Sequence, residues 1–412
     1  MRAFAAAAAV AIASVPVRAG EGTAGAEAEQ TQDPISFHFQ ATVATQWHHK
    51  FTAPYSGKNS LRPDTESATS VVMDLGAVVR PWTGAEITVQ SELAGGRGLS
   101  STLGVAAFPS GEVYRVGNPE PTIILGRAVV RQALGPWTVT AGKLSTPDLF
   151  DNVPLSNDPH TRFMSWGLWA SAAYDYPADV RGYTVGVALE WTREWFTARG
   201  GMFLEPTEAN GDTFETDITK ARGLVAEVEA RFSTWAARLL GFLNTAHMGS
   251  YDQAIERHVD ISQTRADGRT KAGFAASVNK DFGGGFGAFA RVSFNDGQNE
   301  SWAFTEIDRS AAAGAVQSGA LWSRPGDEAG VALVVSGLSG PHRHYLEQGG
   351  YGFLIGDGAL RYGAEVLGEI FYRAALTPQI SLGVNYQPLF NPAFNRDRGP
   401  VHIFTGRAHV AF

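Results

Sequence analysis

The 412-residue sequence predicts an all-β protein, a transmembrane antiparallel β-barrel of about 16 strands with long outer loops and one inward-folded constriction loop. Three observations carry this prediction. Apolar and polar residues alternate with a period of two in many successive segments. Beyond an apolar run near the N-terminus, no stretch offers the 18 or more apolar residues of a spanning helix. Charged residues also occur in the middle of the alternating segments.

The N-terminal apolar run is typical of an export signal. Arg2 gives a positive start, residues 4–17 are almost all apolar, and Val17-Arg18-Ala19 is a small-x-small cleavage site. We therefore predict a signal peptide over residues 1–19, cleaved after Ala19. The alternative is a buried Ala-rich helix.

The remainder divides into a flexible periplasmic leader and one barrel domain. Residues 20–33 are rich in Gly, Ala, Glu and Gln without periodicity, which predicts a leader over residues 20–36. Residues 37–412 contain about sixteen alternating segments, each of roughly the 9–11 residues that a tilted membrane strand needs. Residues 85–93 illustrate the pattern, with Glu86 facing away from Ile87.

Some segments are ambiguous. Residues 122–132 and 328–338 are apolar on both faces, the Ala-rich residues 305–321 could include a helix, and the polar residues 257–270 suggest a variable outer loop. The competing fold is a large soluble β-solenoid or propeller, for which a fixed-length repeat is missing. Two features favour the membrane barrel: mid-strand charges such as Glu227, which suit a water-filled lumen, and aromatic residues near strand ends, which suit interfacial girdles.

From about residue 40 to the end, the chain resembles the carbohydrate-selective porins of Gram-negative bacteria. No single motif decides this; their order and spacing do. The matching segments are 40–61, 92–99, 104–109, 111–117, 127, 131–132, 151–152, 157–159, 162–163, 166, 176–179, 181–183, 365, 369–372, 376–378, 391–392, 396, 406–407 and the terminal Phe412. The resemblance implies a sixteen-stranded outer-membrane barrel through which sugars such as glucose diffuse passively.

The longest segment without alternation, residues 144–177, is the predicted constriction loop. Aromatic residues at helical spacing in 163–169 predict a short helix, with Asp158 as its N-cap. The alternative is an outer loop that lies over the rim.

Sugar hydroxyls bind charged and amide side chains, and sugar C–H faces pack on aromatic rings. The predicted substrate-binding residues of the constriction are Glu92, Arg127, Arg131, Asp158, Arg162, Trp166 and Trp169. The predicted pore-lining residues are Glu227, Glu229, Arg231, Glu365 and Glu369.

The charge balance bears on the transported solute. The net charge is −8, and loss of the two arginines of the signal peptide makes it −10. An acidic surface argues against a nucleic-acid partner. A lumen with excess acid would repel anions, which favours neutral sugars and tolerates cations. A general non-selective or cation-preferring porin is the alternative function.

Catalysis is not expected. The chain lacks Cys, and its ten His residues are scattered outside any nucleophile motif, so we predict no catalytic residue, metal or cofactor. The expected partners are small sugars, outer-membrane lipid and lipopolysaccharide. A terminal Phe412 on an alternating strand resembles the signal that the barrel-assembly machinery recognises. A monomer and a homo-trimer both stay open.

Overall fold

The computed structural model describes residues 33–111, 120–303 and 305–412, and these residues form one closed β-barrel of sixteen strands. The predicted signal peptide and residues 20–32 of the predicted leader lie outside the described residues. The first strand begins at Ile35, two residues before the predicted barrel boundary. The strands are β1 Ile35–His48, β2 Glu66–Val79, β3 Ala85–Gly96, β4 Thr122–Leu134, β5 Trp137–Leu144, β6 Thr184–Arg193, β7 Phe196–Phe203, β8 Arg222–Arg231, β9 Trp235–Ala246, β10 Arg269–Gly283, β11 Phe286–Asn295, β12 Arg309–Ser318, β13 Glu328–Gly337, β14 Glu365–Ala375, β15 Ile380–Phe390 and β16 Val401–Ala411.

Every strand pairs antiparallel with its neighbours in the sequence, and β1 closes the ring on β16. In that closing pair Gln40 lies opposite Ala411 and His48 opposite Ile403. A closed ring leaves no strand edge unpaired, which is the condition for a sheet to cross a lipid bilayer. The predicted sixteen-stranded antiparallel barrel is confirmed.

The alternation of the sequence separates the two faces of the wall. On β1 the outward Phe37 is 72% exposed, and Val43 and Trp47 are exposed as well, whereas the inward Thr42 and Gln46 are buried. Successive side chains of a strand point to opposite faces, so one face meets lipid and the other meets the interior.

The two ends of the barrel differ. Seven short turns join strands at one end, here called the turn end, where β1 also begins and β16 ends. Eight longer connections lie at the opposite, outer end. They are L1 (49–65), L2 (97–121), L3 (145–183), L4 (204–221), L5 (247–268), L6 (296–308), L7 (338–364) and L8 (391–400). Long loops on one end and short turns on the other are typical of outer-membrane barrels.

Three of the ambiguous segments contain strands, and the fourth lies mainly in an outer loop. Within the Ala-rich residues 305–321, residues 309–318 form β12, and a 3-10 helix follows at Gly319–Trp322. The doubly apolar segments are β4 and β13, and β13 is apolar inside because loops fill the barrel there: Val334 is fully buried. Residues 257–270 span the end of a helix in L5 and the start of β10.

The described residues contain three α-helices, all in outer loops: α1 Trp166–Trp169, α2 Tyr251–Arg257 and α3 Gly340–Glu347. Among the described residues, none of these helices is long and apolar enough to cross a membrane.

Candidate functional site: a cavity beneath two inward loops

L3 folds into the barrel, as the sequence predicts. Phe150, Phe163 and Trp166 are fully buried there. The short helix α1 also forms, but its N-cap is Ser165. The prediction that Asp158 caps it was wrong. Asp158 instead closes a separate turn by accepting hydrogen bonds from the backbone N–H of His160 (3.0 Å) and of Thr161 (3.2 Å).

The described first part of L2, residues 97–111, enters the barrel as well, which the sequence did not reveal. Its Phe108 stacks on Trp166 of L3, with ring centroids 5.6 Å apart and an interplanar angle of 11°. The Ser165 hydroxyl donates to the carbonyl of Ala107 at 3.0 Å. The backbone N–H of Trp166 donates to the carbonyl of Phe108, also at 3.0 Å. The two loops therefore form one packed body inside the outer half of the barrel.

Buried carboxylates on the strands hold these loops. Glu369 of β14 accepts the backbone N–H groups of Met164 (2.8 Å) and Ser165 (3.0 Å) in L3. Glu365, four residues earlier, accepts those of Ala106 (3.0 Å) and Ala107 (2.7 Å) in L2. A buried carboxylate is stable when such charge-assisted hydrogen bonds replace its hydration.

A third carboxylate and one guanidinium also attach L3 to the strands. Glu227 of β8 accepts the backbone N–H of Asp151 at 2.7 Å. Arg407 of β16 donates to the carbonyls of Pro159 (2.9 Å) and Thr161 (2.9 Å). Glu227, Glu365 and Glu369 thus face the interior, as predicted for lumen residues, but each is buried against a loop.

Below the loops lies a cavity of about 1190 Å³ that extends to the turn end. Its wall carries five carboxylates and five guanidinium groups among the described residues. They are Asp148, Asp158, Glu190, Glu229 and Asp281, and Arg162, Arg199, Arg231, Arg238 and Arg373. The formal charges of these ten groups cancel, so the expected acidic excess does not occur in this cavity. Other carboxylates of this acidic chain, such as Glu369, bind the backbone of the loops instead of lining the cavity.

Several of the cavity charges form ion pairs. Arg199 donates to Glu190 (3.0 Å) and to Glu229 (3.0 Å), and Arg238 donates to Glu229 (2.9 Å). Arg162 of L3 makes a bidentate pair with Glu328, at 2.8 and 3.0 Å. Bidentate and bridged pairs fix the guanidinium planes, which gives the wall defined donor directions.

Asp158 stays charged at the cavity edge. Burial disfavours its ionised form, but His160 and the Thr161 hydroxyl outweigh that effect and lower the pKa of Asp158. This loop carboxylate is therefore a charged acceptor near Arg162 and Arg407.

Four of the predicted site residues line this cavity: Asp158, Arg162, Glu229 and Arg231. Three others lie on the wall of β3 and β4, each with its own partner. Arg127 makes a bidentate pair with Asp148 (2.7 and 2.6 Å), Glu92 accepts from the Tyr183 hydroxyl (2.6 Å), and Arg131 lies 3.8 Å from Glu86.

The two predicted tryptophans do not offer a ring to the cavity. Trp166 has 0% exposure because Phe108 and Tyr176 pack on it, and Trp169 is half-buried, edge-on to Trp166 at 5.1 Å. Their aromatic spacing signalled a packed loop core rather than a sugar platform.

Sequence reasoning missed Arg373, Arg199 and His409, which all line the cavity. Arg373 is distinctive because its guanidinium makes no hydrogen bond or ion pair with any described residue, although its Nε is buried. The only available signal was its place on the polar face of the segment that becomes β14.

The comparisons with known proteins agree with this architecture. The high-pH structure of Pseudomonas putida OprB is 15% identical, covers 92% of this chain and 94% of that chain, and has a TM-score of 0.74. The outer-membrane channel DcaP of Acinetobacter baumannii is 10% identical, with coverage of 92% and 97% and a TM-score of 0.54. The anion-selective porin from Comamonas acidovorans is 9% identical, with coverage of 92% and 99% and a TM-score of 0.52. At these identities the likeness shows the fold alone.

The comparison with curated proteins found no match. The family model described as carbohydrate-selective porin, OprB family, matches residues 58–412, which is most of the chain. Such porins are channels rather than enzymes, and their barrel places them in the Gram-negative outer membrane. The chain therefore belongs to the carbohydrate-selective porin family, OprB type, and is an outer-membrane channel protein.

Proposed function

We propose that this channel carries glucose-like neutral sugars by passive diffusion. The observation that carries the proposal is the charge-balanced cavity, with five carboxylates and five guanidinium groups on one wall surface. A wall without net charge neither concentrates nor repels ions strongly, yet it presents donors and acceptors to hydroxyl groups.

The proposed solute contacts are the cavity-lining groups. Asp158 and Glu229 accept from sugar hydroxyls, while Arg162, Arg231 and Arg373 donate to them. Arg373 is the most available donor because it has no partner among the described residues. Weak binding at several such stations lets a solute enter and leave.

Arg127, Arg131 and Glu92 are proposed to act at the edge of the path. Arg127 reaches the cavity through its pair with Asp148, which lines it. Trp166 and Trp169 pack within the loops, so neither ring contacts the solute.

The alternative is a general or cation-preferring porin. A cation preference requires a surplus of carboxylates along the path, and the balance of the described cavity argues against one. A general porin would have the same balance, and only solute binding separates it from a sugar channel.

The test is conductance of the refolded chain, residues 20–412, in planar bilayers, with glucose titrated against a phosphate control. We expect millimolar glucose to block the current and phosphate to leave it unchanged. Arg373→Gln should weaken the block, and Lys220→Ala, in the exposed part of L4, should leave it as in wild type. Open current that ignores glucose would replace this function with a general porin.

We also propose that residues 1–19 act as a signal peptide cleaved after Ala19, and that the residues between this peptide and the first strand, which begins at Ile35, act as a periplasmic leader to the barrel. We propose further that the barrel-assembly machinery recognises β16 and the exposed Phe412 that follows it, and that lipopolysaccharide surrounds the outer end of the barrel. Mass measurement in detergent would distinguish a monomer from a homo-trimer.

A further inference from the structure

A second cavity, of about 520 Å³, lies at the outer end between L5 and L7. This volume is within the roughly 300–1,000 Å³ of small-molecule sites. The described lining residues, here called the L5–L7 pocket, are Ala254, His258, Val259, Asp260, Tyr345, Gln348, Gly349, Gly350 and Tyr351.

Two helices make the pocket rigid. Tyr251 of α2 stacks on His342 of α3, with ring centroids 4.4 Å apart and an angle of 13°. The Tyr345 hydroxyl accepts the backbone N–H of Ile261 at 3.1 Å and donates to the carbonyl of Tyr351 at 3.3 Å. The pocket is therefore held in shape before any ligand enters, which lowers the entropy cost of binding.

Glycines bring the backbone of L7 against two tyrosine rings. A Cβ at Gly350 would lie 2.5 Å from the ring of Tyr345, and one at Gly356 would lie 2.8 Å from Cδ1 of Tyr351. Any side chain at these positions would displace the rings. The glycines thus set Tyr351, which is half-buried, as a wall of the pocket.

Polar groups around this ring lack partners. The His258 imidazole and the Tyr351 hydroxyl make no hydrogen bond with the described residues. Asp260 uses Oδ1 for the N–H (2.9 Å) and hydroxyl of Ser262, and its Oδ2 is not engaged by the described chain. Unused donors and acceptors beside an aromatic face are the two surfaces that a sugar ring requires.

We propose that the L5–L7 pocket is an outer capture site for a neutral sugar. Tyr351 packs against the sugar C–H face, and His258, Asp260 and Gln348 bind its hydroxyls. Among the described lining residues none is Lys or Arg, so the pocket does not suit an anion. The inference rests on the proposed sugar channel and adds an entry-side station to it.

The experiment compares sugar added to each side of oriented channels in a planar bilayer, with maltose and glucose as probes. Sugar on the outer-loop side should block with an association rate about 3- to 10-fold above that from the turn side, the effect of one aromatic contact. Tyr351→Ala and His258→Ala should remove this asymmetry and keep the slower block. Lys220→Ala, on L4 outside the pocket, is the matched control.

The outcomes separate the two proposals. Equal block from both sides of the wild-type channel, or an asymmetry that survives Tyr351→Ala, overturns the capture site and leaves the sugar channel. If sugar blocks the current from neither side, both the sugar channel and the capture site that rests on it are overturned. Unchanged open conductance of each variant shows that its barrel has formed.

Discussion

Phe108 and Trp166 stack at 5.6 Å inside the barrel, and this contact joins two loops that start from different strands. Each loop is also fixed to β14, L2 through Glu365 and L3 through Glu369. L2 and L3 therefore form a body inside the outer half of the barrel, with one aromatic centre and carboxylate attachments at its edge.

Trp166→Ala should loosen both loops without opening the barrel wall. Removing a fully buried Trp typically costs about 3–5 kcal/mol of stability. Here the loss should fall on the packing of the two loops and not on the pairing of the strands. Limited proteolysis should cut L2 or L3 faster, and the single-channel current should become noisier. Trp195→Ala, at an exposed ring on the turn end, is the control. Loops that stay as protected as in wild type would show that the stack is dispensable.

Glu369→Gln should release L3 from the wall. The carboxylate accepts four hydrogen bonds, from the N–H groups of Met164 and Ser165 and the amides of Asn385 (2.7 Å) and Gln387 (2.9 Å). An amide of equal size has one acceptor oxygen and turns an NH₂ toward other donors, and each unsatisfied group costs about 1–3 kcal/mol.

Hydrogen exchange by mass spectrometry measures this effect. Peptides covering residues 163–166 should exchange faster in Glu369→Gln, while Glu347→Gln, at the C-terminal end of α3 and outside L3, should match wild type. Equal exchange in both variants would mean that the carboxylate is not the anchor of L3.

Arg373→Glu should make the channel cation-selective. The change converts a cavity of five arginines and five carboxylates into one of four and six, a net charge of −2. Reversal potentials in a salt gradient should shift toward the equilibrium potential of the cation. This shift should shrink as ionic strength rises, because exposed charges are screened by salt. The same charge change at Lys220, on L4 away from the cavity, should shift the potential much less. A potential unaffected by Arg373→Glu would place the ion path elsewhere.

The buried carboxyl group of Glu205 should make the stability of the protein depend on pH. Both of its carboxyl oxygens are buried without a hydrogen-bond partner in the described structure. Burial, and next the charge of Asp175, raise the pKa of Glu205 well above its ordinary value. A raised folded-state pKa means that its contribution to stability is complete below the unfolded value, about 4.3, and is lost as pH rises toward the folded value.

Glu205→Gln removes this titration because the amide is neutral at every pH. Relative to wild type, the variant should unfold at a higher temperature in neutral and alkaline detergent solution, and the difference should shrink in acid. The wild-type loss amounts to about 1.4 kcal/mol per pH unit across the window. Glu208→Gln, exposed on the same loop, should follow wild type. Parallel curves for wild type and Glu205→Gln would contradict the assignment.

The strands were predictable because lipid on one side and a polar interior on the other impose a period of two. Residues such as Val228 and Glu229 record that difference directly in the sequence. The inward loop L3 was predictable from its length and lack of alternation. The inward course of L2 was not, because its signal is a contact between Phe108 and Trp166 that joins distant parts of the chain.

The candidate site was only partly predictable. Alternation places Glu369 on the inner face, but it does not distinguish an inner face that meets water from one that meets a loop. Trp166 shows the same ambiguity, since aromatic residues suit a sugar platform and a packed core equally well. Arg373 is identified only by the absence of a nearby partner, which is a three-dimensional property.

The pairing of β1 with β16 has a consequence for how the chain folds. Phe39 and Phe412 exchange backbone hydrogen bonds of 3.1 and 2.8 Å across that seam. Every other strand pair forms between neighbours in the sequence, but this one waits for the final strand. Closing so long a loop slows folding, and until then both edges of the sheet stay open to pairing with other chains. The time between export and closure is thus the interval in which this protein is most exposed to aggregation.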